Sequence, residues 1–392
     1  MLDRDIYPEL SKALNVKQVL AITGMRRIGK TTAVKFLLSS VKSRNKAYFD
    51  LERVENRMIF RQDNYADIVK GLEYEGLDFS RKAWIALDEI HLVKNIASVV
   101  KFLYDTYDIK FIVTGSSSYY LKDHFSESLA GRKRIYEMAP LSFKEYLLFR
   151  EYGNSLLLEE AFIPYNRQIT GKLQNHYLDY LKFGGFPEVV LSFHEEDRIH
   201  LLKDIINSYL NLDIKFLSDF SRVDDIYKVI KLLTSRVGSK TDFSKLASIA
   251  GINRQLLKEY LLFFEQTYLI RQVPAYVTNI DREIALQKKL YFTDNGILNI
   301  LGNPGSGAIL ENAAANQLSL HGDLKYYARR SGQEIDFILN EDTAIEIKES
   351  PSIHDLKTLT HRADQIGFKK CFLVGLTQNN MAFSQFVWAG NI

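Results

Sequence analysis

The chain has 392 residues, 46% of them hydrophobic and 25% charged, which is the make-up of an ordinary globular protein with room for two or three cores. Its 51 basic and 48 acidic residues leave a formal charge of +3, too even to nominate a nucleic acid or any other partner by charge alone. A single cysteine, Cys371, excludes an intramolecular disulfide and a thiolate zinc site, and suits a reducing compartment.

The first residues, Met1-Leu2-Asp3-Arg4-Asp5, lack a basic stretch followed by an apolar core, and no apolar run approaches about 18 residues. The chain is therefore expected in the cytoplasm, neither secreted nor membrane-spanning. Val19-Leu20-Ala21-Ile22 reads as a buried strand. Gly24-Met25-Arg26-Arg27-Ile28-Gly29-Lys30-Thr31 follows it and fits the phosphate-binding loop pattern. Thr32 to Leu38 continues as an amphipathic helix, so strand, loop and helix come in the order the pattern requires. Gly24 and Gly29 let the backbone N–H groups of the loop, Arg26, Arg27 and Ile28 included, wrap a β-phosphate. The helix N-terminus, with Lys30, Thr31 and Thr32, adds partial positive charge. Lys30 is expected to reach the β- and γ-phosphates of ATP and Thr31 to ligate magnesium.

Trp84-Ile85-Ala86-Leu87-Asp88-Glu89 is an apolar run ending in two carboxylates. At the mouth of a buried strand Asp88 can hold a magnesium-bound water, while Glu89 orients and deprotonates the water that attacks the γ-phosphorus. His91 completes a string reminiscent of helicases, but no second motor domain follows. Apolar runs at 19–22, 47–51, 84–88 and 110–114 predict a parallel sheet with helices on both faces across residues 1–140. The last of them leads into Thr114-Gly115-Ser116-Ser117-Ser118, where Ser116, and Thr114 after it, could sense the γ-phosphate; a serine-rich turn reads the same way.

Residues 141–204 turn helical around Pro140-Leu141-Ser142-Phe143, with a break at Gly184-Gly185-Phe186-Pro187, and read as a lid or connector. In residues 205–275, two short amphipathic helices within Phe243 to Leu261 meet at Gly251, the helix-turn-helix pattern. Strands around Leu269-Ile270-Arg271 and Leu290-Tyr291-Phe292 could supply a wing. Winged helices serve DNA and protein partners alike, and both remain open here. Residues 276–392 form the last segment. There Asp336 opens one strand of an apolar-alternating pair, and Glu346 and Lys348, two apart on the next, share a face. With Glu311 from the stretch Leu310 to Leu318, these residues could hold a second divalent metal, Lys348 acting as catalytic partner in phosphodiester cleavage. The arrangement resembles the restriction-endonuclease-like core.

The phosphate loop, Leu87-Asp88-Glu89, Thr114-Gly115-Ser116-Ser117, Leu129-Ala130-Gly131-Arg132 and Pro140-Leu141-Ser142-Phe143 together resemble the prokaryotic AAA+ ATPases that carry an uncharacterised C-terminal domain. The resemblance spans nearly the whole chain. It implies an α/β fold with a P-loop NTPase sheet domain, a helical connector, a winged helix and an endonuclease-like α/β tail. It selects Arg132 as an arginine finger reaching a neighbouring subunit's γ-phosphate, and so a homo-oligomer; Arg26 and Arg27 are rivals within the loop. The reading that follows is a magnesium-dependent ATPase coupled to a DNA-binding, nuclease-like half. The alternative is a signalling switch in which ATP holds one conformation and the C-terminal half binds a protein.

Overall fold

The computed structural model describes residues 2–115, 129–152, 162, 167–214, 223–277, 283, 286–329, 332–377 and 384–392. The chain forms two compact units, the first made of residues 1–139, 211–219 and 266–268, and the second of 140–210, 220–265 and 269–392.

In the first unit the predicted runs become β1 (Val19–Thr23), β2 (Lys46–Asp50), β3 (Ala83–Asp88) and β4 (Ile109–Gly115), joined by β5 (Lys133–Glu137). The sheet order is β2-β3-β4-β1-β5 and every pairing is parallel. β1 and β4 are buried along their whole length, which is why they read as unbroken apolar runs rather than alternating ones. β5, Lys-Arg-Ile-Tyr-Glu, carries charge because it closes the sheet as an edge strand. Helices Lys30–Ser40 and Ile96–Thr106 are among the crossovers that parallel pairing demands. Phe49, Phe60, Leu72, Leu103 and Phe111 lie in the core between sheet and helices. Strands β3, β4 and β1 are neighbours, so their C-terminal ends set Asp88, Thr114 and the loop after Thr23 side by side. Open α/β sheets bind ligands outside these carboxyl ends.

The second unit begins with helix Phe143–Phe149, whose first turn is closed by a capping box between Ser142 and Glu145. Helix Arg167–Phe183 stops at Gly184, and Pro187 opens the short helix Pro187–Leu191; helix Glu195–Ser208 follows. Helices Phe243–Ala250 and Arg254–Gln266 are separated by Gly251 at φ +72°, a left-handed turn that suits glycine. β6 (Ile270–Val273) and β7 (Lys289–Phe292) pair antiparallel. After helices Asn295–Gly302 and Ser306–Leu318 comes a second sheet: β8 (Leu324–Ala328), β9 (Glu334–Leu339), β10 (Thr343–Ile347), β11 (Lys370–Gly375) and β12 (Phe386–Trp388). Its order is β12-β11-β10-β9-β8, antiparallel from β8 to β10 and parallel from β10 to β12, with helix Ile353–Asp364 crossing between β10 and β11. Ile335, Ile338, Leu359, Leu373 and Phe386 fill one side of it. Among the described residues no helix is long and apolar enough to cross a membrane.

Candidate active site

The loop leaves β1 at Gly24, whose φ is +141° and where a Cβ would run into the carbonyl oxygen of Met138. A side chain is excluded there both by conformation and by space. Arg27 and Gly29 also have positive φ, and Gly29 caps helix Lys30–Ser40, whose first turn holds no acid. The orphan N–H groups of that turn therefore face an uncompensated anion site. Lys30 is 4% exposed, and its Nζ donates to the carbonyl oxygens of Gly24 and Met25, both at 3.0 Å. Arg4 braces the loop from behind through the Ile28 carbonyl at 3.1 Å. Thr32 follows Thr31 in the first helical turn.

Oxygen ligands converge on Asp88. Thr31 Oγ1 donates to its Oδ2 at 2.6 Å, Tyr48 Oη donates to the same atom at 2.8 Å, and Thr114 Oγ1 donates to Oδ1. Thr114 Oγ1 also accepts from the Glu89 backbone N–H at 3.0 Å. Burial, followed by the Asp88 carboxylate it serves, pushes the Tyr48 hydroxyl well above its ordinary range, so it stays a donor. Glu89 has φ +56° and ψ +54°, a conformation that costs a residue with a side chain on the order of 1 kcal/mol or more. It turns the carboxylate toward Lys30 at 3.9 Å and His91 Nδ1 at 3.2 Å. Burial would raise the Glu89 carboxyl, but Lys30, His91 and Arg26 outweigh it and hold it well below the usual range.

These groups fit the expected ligands. Thr31 and Asp88 are hard oxygen donors of the kind magnesium prefers, and the helix N-terminus, Lys30 and Arg26 suit a polyphosphate. Tyr48 and Asp213 were not legible in the sequence, and His91 stood out only as part of a string, without a role at the carboxylate. Tyr48 comes in through register, since β2 pairs with β3 and sets Tyr48 opposite Ala86. Arg26 Nε donates to Asp213 Oδ1 at 2.9 Å, across 187 residues of sequence.

Two expected residues remain. Ser116 is outside the described residues. Arg132 stands at the start of β5, where its carbonyl accepts from Val19 N–H at 2.7 Å, at the end of β1 opposite the phosphate loop. Its guanidinium pairs with Asp105 at 3.0 Å, both side chains about two-fifths exposed at 39% and 41%. Arg132 cannot reach the loop of its own chain.

In the second unit the acidic residues gather around a lysine. Lys289 of β7, 2% exposed, lies 2.7 Å from Glu334, 3.4 Å from Glu311 and 3.8 Å from Asp336. Burial would lower its ammonium, but Glu311, Asp336 and Glu334 raise it well above the ordinary lysine range. Tyr291 Oη donates to Glu311 at 2.7 Å, and Asp336 accepts from Ile347 N–H at 2.9 Å. Glu346 and Lys348 pair at 3.1 Å beyond them, and burial together with Asp336 pushes the Glu346 carboxyl up. Glu311 therefore faces Lys289 and Tyr291. Among the described residues no group of three or more His, Cys, Asp or Glu side chains is placed to hold a metal ion.

Residues 16–147 match the family model described as AAA domain, and residues 174–307 and 306–392 match two models each described as a domain of unknown function. Relatives along nearly the whole chain include an uncharacterised protein of Methanocaldococcus jannaschii, 24% identical, with 98% of this chain and 87% of that protein covered. Another, from Haemophilus influenzae and also uncharacterised, is 24% identical over 96% of this chain and 94% of its own. Among solved structures, the Aeropyrum pernix ORC1 protein in complex with DNA is 11% identical with a TM-score of 0.33, covering 77% of this chain and 92% of that one. PCH-2 of C. elegans is 12% identical with a TM-score of 0.27, covering 48% and 59%. The part of the chain that matches the AAA domain is built on a five-stranded parallel sheet, and residues 174–392 match domains of unknown function.

Proposed function

We propose that the first unit binds ATP with magnesium and hydrolyses it. The observation that carries this reading is the meeting of Lys30, Thr31, Asp88, Glu89 and Thr114 at the adjacent ends of β1, β3 and β4. Lys30 exchanges the carbonyls of Gly24 and Met25 for phosphate oxygens. Thr31 and Asp88 would hold magnesium, which supplies charge neutralisation on the phosphates. Thr114 ties the Asp88 carboxylate and the Glu89 backbone together, so that the position of the Glu89 backbone is set by the strand ends. As Lys30 turns to phosphate, Glu89 loses its nearest cation, recovers basicity and can take a proton from the attacking water. Arg132 acts on nucleotide only from a neighbouring subunit, if this chain assembles into rings or dimers.

Phosphate release from the full chain tests the reading, with Lys30→Ala and Glu89→Gln as controls and duplex DNA present or absent. No binding of magnesium-ATP by the wild-type chain would falsify it. DNA is the favoured partner because helix Arg254–Gln266 exposes Arg254, Gln255 and Lys258 next to the turn at Gly251. Slow turnover, tight ATP binding and no response to DNA would favour the protein-binding switch. A second reading, phosphodiester cleavage at Asp336, Glu346 and Lys348, is favoured by one observation: Glu346 Oε2 is buried with no hydrogen-bond partner. Its test is manganese-dependent cleavage of duplex and branched DNA, lost in Glu346→Ala while ATP hydrolysis persists.

A further inference from the structure

Arg26 has no part in the roles given to Lys30, Thr31, Asp88 and Glu89, yet its side chain is largely buried and ion-paired. Its guanidinium side chain is 13% exposed and meets Asp213, itself 2% exposed, at 2.9 Å. Glu52 Oε1 is 3.7 Å from the same guanidinium. Arg26 and residues 211–219 belong to the same unit, although the chain leaves it between them. Burial pushes the Asp213 carboxyl up, and Arg26 and Lys30 oppose that. Burial likewise works against the Arg26 charge, and Asp213, Glu89 and Glu52 more than restore it. Arg26 and Lys30 thus both act on the charge of Glu89, Lys30 from 3.9 Å, and a terminal phosphate drawn to Lys30 would bring its charge within the influence of Arg26.

A phosphate there competes with Asp213 for the guanidinium, and it competes well, because a planar fork of donors pairs with phosphate as readily as with carboxylate. The loser is left in an untenable place. A carboxylate as buried as Asp213 is strongly disfavoured once its cation is taken away, so it must turn to water or gain a proton. We propose that Arg26 reads the terminal phosphate of bound ATP and that Asp213 is its counter-ion in the nucleotide-free state, so that phosphate binding frees residues 211–214 from the loop. The proposal rests on the nucleotide reading above. ADP, which lacks the terminal phosphate, leaves the pair closed. The freed residues follow directly on helix Glu195–Ser208, so the chain that reports nucleotide state is the one leading out of the second unit.

The experiment compares binding of magnesium with a non-hydrolysable ATP analogue and with ADP to the full chain, as wild type, Asp213→Asn, Arg26→Gln and the double variant. Asp213→Asn, which removes the competing charge and keeps the shape, should tighten the analogue by roughly tenfold and leave ADP unchanged. In the Arg26→Gln background the same substitution should have no such effect, and the double variant guards against misfolding because it strands no buried charge. Amide exchange across residues 205–214 should quicken with the analogue and not with ADP. The proposal is overturned if Asp213→Asn leaves analogue affinity unchanged, tightens ADP equally, or acts as strongly without Arg26. Failure of the wild type to bind either nucleotide overturns the nucleotide reading itself, whereas binding of both with an indifferent Asp213→Asn overturns only the role of the pair.

Discussion

Glu89 shows how much of the site is decided one residue at a time. A left-handed backbone, a buried carboxylate, a lysine at 3.9 Å and an imidazole at 3.2 Å are each unfavourable or neutral alone, and together they aim one charged oxygen pair at the loop. Glu89→Gln should therefore keep ATP bound and slow hydrolysis by about 100-fold or more, read as single-turnover phosphate release. Lys30→Ala acts earlier. Magnesium-ATP at about a hundred times its dissociation constant should stabilise the wild type by roughly 2.7 kcal/mol against unfolding, and that gain should vanish in the variant. Lys30, Thr31, Asp88 and Glu89 were legible in the sequence because each belongs to a short contiguous string. Tyr48 and Asp213 were not, since one arrives through strand register and the other from 187 residues away, and neither distance leaves a local pattern.

Among the elements, legibility followed burial. β1, β3 and β4 announced themselves as apolar runs because they are buried almost throughout, and the half-buried edge strand β2 did so through Ala47, Tyr48 and Phe49, while β5, charged and at the other edge, offered no apolar run. The turn at Gly251 and the pair β6 and β7 were legible from glycine and from apolar clusters. The carboxylate cluster was only half legible: Asp336, Glu346 and Lys348 stand on β9 and at the end of β10 as their spacing predicted, but Lys289 enters from β7 and claims Glu311. Helix Asn295–Gly302 carries a prediction of its own. Asp294 caps it, accepting from Ile297 N–H at 3.0 Å and from Gly185 N–H at 2.7 Å, and complete burial pushes its carboxyl up to about 6. The folded chain thus holds that proton more tightly than the unfolded chain, whose ordinary value is about 3.8. Stability from this group is complete below about pH 4 and is lost as the pH rises through about 6, a change of roughly 3 kcal/mol. Urea unfolding at about pH 4.5 and about pH 7 should show the loss in the wild type, and Asp294→Asn should flatten it.

At the scale of the whole molecule, the chain forms two compact units, and residues 211–219 return to the first after the chain has entered the second. Such an excursion has no signature in composition or periodicity. If the second unit engages DNA through Arg254 and Lys258, stimulation of ATP turnover by duplex should weaken steeply with added salt, and Lys258→Ala should shallow that dependence by about one charge. Stimulation that ignored salt would argue for a protein partner. A different reagent separates the two halves outright. The cation among Glu311, Glu334 and Asp336 is Lys289, a side chain fixed by a peptide bond and beyond the reach of any chelator. EDTA should therefore silence ATP turnover at once, yet leave the circular dichroism and melting of the second unit as they were, so that one unit can be switched off without the other being loosened.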